Sequence, residues 1–229
     1  KMAAIILTND FANIEKQASG KLLPPEDHQE TFYRITADIK GVMTMIDQDD
    51  NLDYERMGVF GVSLGGILTS FVMATQPDIA AGYFVVAGGD VPEILASSTQ
   101  EEVSKIRRKR MREEGFETRE EYEAYLRQHI TFDPVDIATT MLPDTLNMVI
   151  AKRDSAVPTD NQYLLHKAFG EPEAEYYNDS HVSTVISFLF PSSGRRRIAR
   201  FFEDRFKEQN PRPTLFDFPE PETPLAIAY

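Results

Sequence analysis

Apolar residues in this chain fall into short unbroken runs and longer periodic stretches. The short runs are 3–8 (Ala-Ala-Ile-Ile-Leu-Thr), 59–62 (with Val59, Phe60 and Val62) and 82–87 (Gly-Tyr-Phe-Val-Val-Ala); the strand pattern resumes at 146–151, and Glu175-Tyr176-Tyr177 reads as a last short strand. Runs of this length with no polar alternation are expected of strands covered on both faces. Between them, Phe32, Ile35, Ile39, Val42, Met43 and Ile46 repeat at helical spacing and predict an amphipathic helix ending near Asp47. Ile67, Leu68, Phe71 and Val72 predict a helix to about Thr75, stopped by Pro77. Thr159-x-x-Gln162 reads as the cap of a helix to about Phe169, and Ile198, Phe201, Phe202 and Phe206 mark a last helix. Strand and helix alternate along the chain, which predicts an α/β fold: a mainly parallel, doubly wound sheet with helices on both faces.

The rhythm breaks between residues 91 and 144. Ser98-x-x-Glu101 and Thr118-x-x-Glu121 both have the form of a capping box, so this stretch is expected to be a helical insertion. The expected organisation is therefore a core of residues 1–90 and 145–209, an insertion at 91–144 and a tail at 210–229. The tail holds five prolines in the nineteen residues after Asn210, which favours extended chain. Its Leu215, Phe216, Phe218 and Ile227 are apolar enough to dock on something and order the tail.

Composition narrows the function. A chain of 229 residues can bury one sizeable core. A formal net charge of −13 argues against nucleic acid or an anionic membrane surface as the main partner. No apolar run approaches the roughly 18 residues of a membrane span. There is no cysteine, which excludes disulfides, thiolate metal sites and a cysteine nucleophile. That absence suits cytoplasm and export alike, with the cytoplasm as the default expectation. One basic run (Lys105, Arg107, Arg108, Lys109, Arg110, Arg112) stands out in the acidic chain. It reads either as a solvated helix face with pairs such as Glu101 to Lys105, or as a cationic rim for an anionic substrate.

The sharpest chemistry lies at residues 61–66. Val59, Phe60 and Val62 lead into Gly61-Val62-Ser63-Leu64-Gly65, and the helical pattern begins at once. Strand, tight turn and helix are the context in which Gly-x-Ser-x-Gly places a serine on a strained elbow. Gly61 and Gly65 are expected to let strand and helix approach closely. Ser63 would present its hydroxyl at a helix N-terminus, where the Leu64 N–H can stabilise a developing oxyanion.

A serine hydroxyl needs a base, and the base an acid to orient it. Of four histidines, His28 lies in a Pro-rich stretch, His129 ends an inserted helix and His166 sits within a helix. His181 directly follows the last predicted strand, at the sheet edge where catalytic groups of open α/β sheets gather. For the acid, Asp154 just past the 146–151 strand is favoured over Asp90, which also ends a strand. Asp133, Asp136 and Asp160 read as cap or surface residues.

These residues resemble the α/β-hydrolase superfamily, in its serine esterase and lipase-like form. Gly61-Val62-Ser63-Leu64-Gly65-Gly66 is similar to its elbow, Arg153-Asp154-Ser155-Ala156-Val157-Pro158 to its acid loop, and His181 to its terminal histidine. The order Ser, Asp, His is also the superfamily's. The resemblance covers about residues 3–206, with 91–144 where the family inserts a cap or lid. It implies a serine hydrolase cleaving a small-molecule carboxylic ester, with no cofactor and no metal. A non-catalytic binding protein on the same fold, or a peptidase or thioesterase, are the alternatives. If the insertion is a lid, Ile94, Leu95, Phe116, Tyr122, Tyr125 and Leu126 should line an acyl pocket.

One departure concerns the second oxyanion donor, which the family takes from a loop after its third strand. No such motif precedes the elbow, and residues 3–8 resemble the family's fourth strand. The expectation is that the first strands and their loop lie upstream of Lys1. The alternative is a minimal variant using the backbone near Asp10 and Phe11, or a homodimer paired through the uncovered sheet edge.

Overall fold

The computed structural model describes residues 25–76, 78–131, 133–138 and 143–207. The strand expected at 3–8, the backbone near Asp10 and Phe11, and the tail at 210–229 lie outside them.

Helix α1 (Pro25–Asp47) leads to strand β1 (Gly58–Val62), helix α2 (Leu64–Thr75) and strand β2 (Ala81–Val85). Four inserted helices follow: α3 (Val91–Ser97), α4 (Glu101–Glu114), α5 (Arg119–His129) and the single turn α6 (Pro134–Ile137). Strand β3 (Leu146–Ala151), helix α7 (Thr159–Ala168), strand β4 (Glu173–Tyr177), and helices α8 (His181–Leu189) and α9 (Ser192–Lys207) complete the order. The strands form one sheet in the order β1-β2-β3-β4. All pairs are parallel, in a register that sets Val62 beside Val85, Val85 beside Val149 and Ile150 beside Tyr176. Their C-terminal ends therefore share one edge, where the loops carrying residues 63, 86–90, 152–158 and 178–181 emerge.

Every residue of β2 and β3 is buried, as expected of largely apolar central strands, with Asn147 the polar exception in β3. Alternate side chains serve opposite layers. Phe84, Met148 and Ile150 pack with Ile67, Phe71 and Val72 of α2 and with Leu165 of α7. Tyr83, Val85, Val149 and Ala151 pack with Phe188 of α8 and Phe202 of α9. The Tyr83 ring stacks on Phe188 at 5.9 Å and meets Phe201 edge-on at 5.4 Å. Its hydroxyl donates to Glu175, which Arg197 of α9 also grips at 2.9 Å. Burial pushes the Tyr83 hydroxyl up, so it stays a donor.

Local signals held at Thr118, whose side chain caps α5 while Glu121 returns the bond, a complete capping box. At α4 the cap is Gln100, which accepts from the Val103 N–H at 2.9 Å. Ser98 instead donates to the Ala156 carbonyl at 2.6 Å. Residue 28 lies within α1 rather than in a loop. Helix α8 is not among the helices that the sequence pattern predicts. Its run of Val182, Thr184, Val185 and Ile186 is poor in helix propensity. Burial of Thr184 and Phe188 against the sheet overrides it.

Candidate active site

Strand β1 ends at Val62 and α2 begins at Leu64, so Ser63 alone must turn the chain. It does so at φ 55 and ψ −124, a conformation that strains a non-glycine residue by about 1–3 kcal/mol. The Ser63 N–H donates to the Val85 carbonyl at 2.8 Å, and its carbonyl accepts the first helical bond from Ile67 at 3.0 Å. The hydroxyl does not cap the helix and is left for other work. At the end of the neighbouring strand Val86 also holds a positive φ of 47, so two adjacent strand ends carry strain.

Two glycines make the turn fit, but they are not the expected pair. A Cβ on Gly61 would collide with the Gly65 carbonyl and Thr69 Oγ1. A Cβ on Gly66 would lie 2.7 Å from the Ala87 Cβ. A Cβ on Gly65 would meet nothing within 4 Å, so Gly65 joins the close approach through its backbone carbonyl, and the position that has no room for a side chain on α2 is Gly66.

The loop after β3 is built around Asp154, whose side chain is sealed from solvent at 0% exposed. Its Oδ1 accepts from the backbone N–H groups of Ala156 at 2.8 Å and Val157 at 3.0 Å. Its Oδ2 accepts from Gln162 Nε2 at 2.9 Å. Thr159 braces the loop from below, donating to the Ala151 carbonyl at 2.8 Å and accepting from the Asp154 N–H at 3.2 Å. Thr159 and Gln162 thus form no capping box; Pro158 is the cap of α7, and both side chains turn into the acid loop.

His181 is the first residue of α8. Its Nδ1 stands 2.5 Å from Asp154 Oδ2 and its Nε2 2.9 Å from Ser63 Oγ. A carboxylate can only accept, so Nδ1 carries the proton and Nε2 is left to accept the serine hydroxyl. The imidazole is 17% exposed, enough for a substrate to reach. Ser63, Asp154 and His181 are thereby joined in one hydrogen-bonded chain, and Leu64 supplies the first amide of α2 beside it. The segments expected to give a second oxyanion donor lie outside the described residues.

The remaining candidates have other partners. Asp90, the rival acid, caps α3 and pairs with Arg127 at 2.7 Å. Asp133 accepts from the N–H groups of Asp90, Val91 and Val135, although burial pushes its carboxyl up. Asp160 and Asp136 are exposed, as expected of surface residues. His166 Nε2 meets the Pro172 carbonyl at 2.8 Å, and the His129 ring lies 4.6 Å from that of Tyr125.

Beside His181 opens a cleft of about 330 Å³, lined by Thr99, Gln100, Glu101, Ser155, Ala156 and Val182 among others. The insertion reaches it with polar residues, not with its expected apolar set. Tyr122 and Leu126 are buried with Ala96 and Ile130, with Leu95, Phe116 and Tyr125 packed against them, in a core of the insertion's own. Ile94 joins the main core. Within the basic run, partners nearby take up several of the cations. Lys105 pairs with Glu101 and Glu102, Lys109 with Glu113, Arg107 donates to the Ser98 carbonyl, and Arg110 is buried.

The sequence marks Gln162 only as part of a helix cap, and the structure turns it into the acid loop.

No protein-family model matches the sequence, and no curated protein does. Solved structures do. An acetyl xylan esterase from Paenibacillus sp. R4 superposes with a TM-score of 0.58 at 14% identity, over 78% of this chain and 53% of that one. An acylaminoacyl peptidase from Pyrococcus horikoshii gives 0.55 at 18% identity, over 76% and 28% of the two chains. The alpha/beta hydrolase GrgF from Penicillium sp. sh18 gives 0.55 at 15% identity, over 77% and 73%. The chain spans about half the length of the first and little more than a quarter of the second. On that likeness, with its parallel four-stranded sheet and flanking helices, the fold of this chain is that of the α/β-hydrolases.

Proposed function

We propose that the protein is a serine hydrolase that cleaves a small or medium carboxylic ester through an acyl-enzyme. The observation that carries this is the chain Ser63 Oγ–His181–Asp154, with links of 2.9 and 2.5 Å, on a strained strand-to-helix turn.

Ser63 Oγ attacks the acyl carbon while its proton passes to His181 Nε2. The carbonyl oxygen becomes an oxyanion that the Leu64 N–H stabilises. Asp154, held in place by the Ala156, Val157 and Gln162 donors, holds Nδ1–H and offsets the imidazolium charge. Collapse breaks the ester C–O bond, and the proton on Nε2 goes to the leaving alkoxide. Water then repeats the sequence on the acyl-serine: His181 takes its proton, the hydroxide oxygen joins the acyl carbon, and Ser63 Oγ leaves with a proton from Nε2. The carboxylic acid and free serine result.

The cap role of residues 91–144 is part of the same proposal. It is supported by the bonds that tie Ser98 and Thr99 to Ala156 and Ser155 of the acid loop, and by Thr99, Gln100 and Glu101 at the cleft beside His181.

Replacing Ser63 by alanine should abolish turnover of p-nitrophenyl acetate and butyrate while circular dichroism stays unchanged. A fluorophosphonate probe should label the parent protein stoichiometrically at Ser63. Full activity in the variant would end the assignment. Absence of labelling and turnover in the parent would favour a binding protein on the hydrolase fold.

A further inference from the structure

Gln162 is fully buried, yet its side chain is an amide. Such a group stabilises the fold only when each of its polar atoms is paired. Here all the pairing goes to one place. Oε1 accepts from the N–H of Ala151, the last residue of β3, at 3.0 Å. The two hydrogens of Nε2 serve the Val157 carbonyl at 2.8 Å and Asp154 Oδ2 at 2.9 Å. The amide therefore spans the beginning, the middle and the end of the acid loop.

Its bond to Oδ2 differs in kind from the backbone bonds to Asp154. The N–H groups of Ala156 and Val157 both hold Oδ1, which anchors one corner of the carboxylate and leaves the plane free to swing about it. Oδ2 is the oxygen that faces His181, and Gln162 is the group that meets it from the protein side. A third fixed point sets the plane. The same N–H also takes up part of the negative charge of a carboxylate that has no solvent.

We propose that Gln162 is a positioning residue: its amide aims Asp154 Oδ2 at His181 Nδ1, acting through Asp154 and without touching substrate. This rests on the assignment of Ser63, His181 and Asp154 in the preceding subsection. A merely structural tie of the loop is the rival account.

Two variants of the full chain separate them. Gln162→Met keeps length and bulk and removes both hydrogens. Gln162→Glu keeps an oxygen for the Ala151 N–H, while the second oxygen faces Asp154. Protonated, that carboxyl can give its one hydrogen to Asp154, leaving the Val157 carbonyl unmet; ionised, it repels Asp154. The ionisable groups in contact along this line are Asp154 and, beyond it, His181.

The first readout is the proton resonance of His181 Nδ1–H, which a hydrogen bond to a buried carboxylate moves far downfield. The second is ester hydrolysis as kcat and KM across pH. In Gln162→Met the resonance should be lost or moved, with kcat lower by roughly 10–100-fold and KM within about twofold. In Gln162→Glu both resonance and kcat should approach the parent at the acid end and fall as pH rises, where the parent rate does not fall. Resonance and kcat within twofold of the parent in both folded variants overturn the proposal. So does a loss in Gln162→Glu that is the same at every pH, since that is a structural defect. If Gln162→Met does not fold, Gln162→Glu decides alone. If the parent neither hydrolyses esters nor reacts with fluorophosphonate, the hydrolase assignment falls, and the resonance still decides the role of Gln162.

Discussion

The two ends of the Ser63–His181–Asp154 chain are held by different physics. At the serine end the position is set by shape. The strained turn, the collision that any Cβ at Gly61 would cause and the tight contact of Gly66 with Ala87 leave the hydroxyl one place to be. No side chain grips it except His181 among the described residues. At the acid end the position is set by donors. Asp154 meets the N–H groups of Ala156 and Val157, the Gln162 amide and His181 Nδ1. A neutral hydroxyl near solvent needs only geometry. A carboxylate sealed from water needs its charge answered on every side, or burial makes it unstable. The serine end should therefore be broken by added volume, and the acid end by removed charge.

The largest effect is expected from Asp154→Asn. The change is nearly isosteric, so volume is preserved while the charge goes. An amide at this position can present its NH2 to Nδ1, which favours the imidazole tautomer with the proton on Nε2, unable to accept from Ser63. It also sets NH2 against the Gln162 donor. On the proposed mechanism kcat should fall by about 10⁴-fold, as replacement of a triad acid does elsewhere. Esterase assays beside a thermal melt check it. A loss under tenfold would mean that His181 is oriented without the carboxylate.

At the serine end the corresponding experiment adds one methyl group. Gly61→Ala drives a Cβ into the Gly65 carbonyl and Thr69 Oγ1, where backbone cannot yield cheaply. We expect a loss of about 3 kcal/mol or more in unfolding free energy, with activity lost in step. Gly65→Ala is the control. With nothing within 4 Å it should be neutral, or stabilise by up to about 1 kcal/mol through helix propensity. Denaturant melts of the two variants decide the matter. Equal destabilisation would show that the elbow is not held by the fit at Gly61.

That pair also shows where the sequence was readable. Ser63, Asp154 and His181, which the structure joins by hydrogen bonds, could be nominated together because the proposed chemistry allows very few residue types, each just after a strand. The buried strands at 81–85 and 146–151 announced themselves by apolar runs, broken only by Asn147 in the second. What could not be read was direction. The elbow pattern contains three glycines, and nothing in it says that Gly66 rather than Gly65 abuts Ala87. Thr159 and Gln162 have the spacing of a capping box, but the same spacing lets both turn inward to the acid loop. Tyr122 and Leu126 show an apolar helix face, and a face does not name its partner; they bury one another's neighbours inside the insertion rather than lining the cleft. Helix α8 was missed because its packing, not its propensity, makes it helical.

The smallest effect tests whether the insertion belongs to the acid end of the comparison. Ser98 is buried, and its hydroxyl donates to the Ala156 carbonyl at 2.6 Å while accepting from the Gln100 N–H at 3.1 Å. Nearby, the Thr99 N–H meets the Ser155 carbonyl at 2.8 Å, so the turn between α3 and α4 lies along the outside of the acid loop. Ser98→Ala removes two bonds but leaves the Thr99 contact and all four donors to Asp154. The net loss should be about 1 kcal/mol, near 2–4 °C in Tm for a chain of this size. Since Asp154 keeps its own donors, kcat should stay within about threefold of the parent. That combination would place the insertion as a neighbour of the loop, fastened to it but not steering it. A fall in kcat beyond tenfold at the same small change in Tm would say otherwise. The acid loop would then be held in register from outside by the insertion as well as from inside by Gln162, and movement of residues 91–144 would bear directly on the orientation of His181.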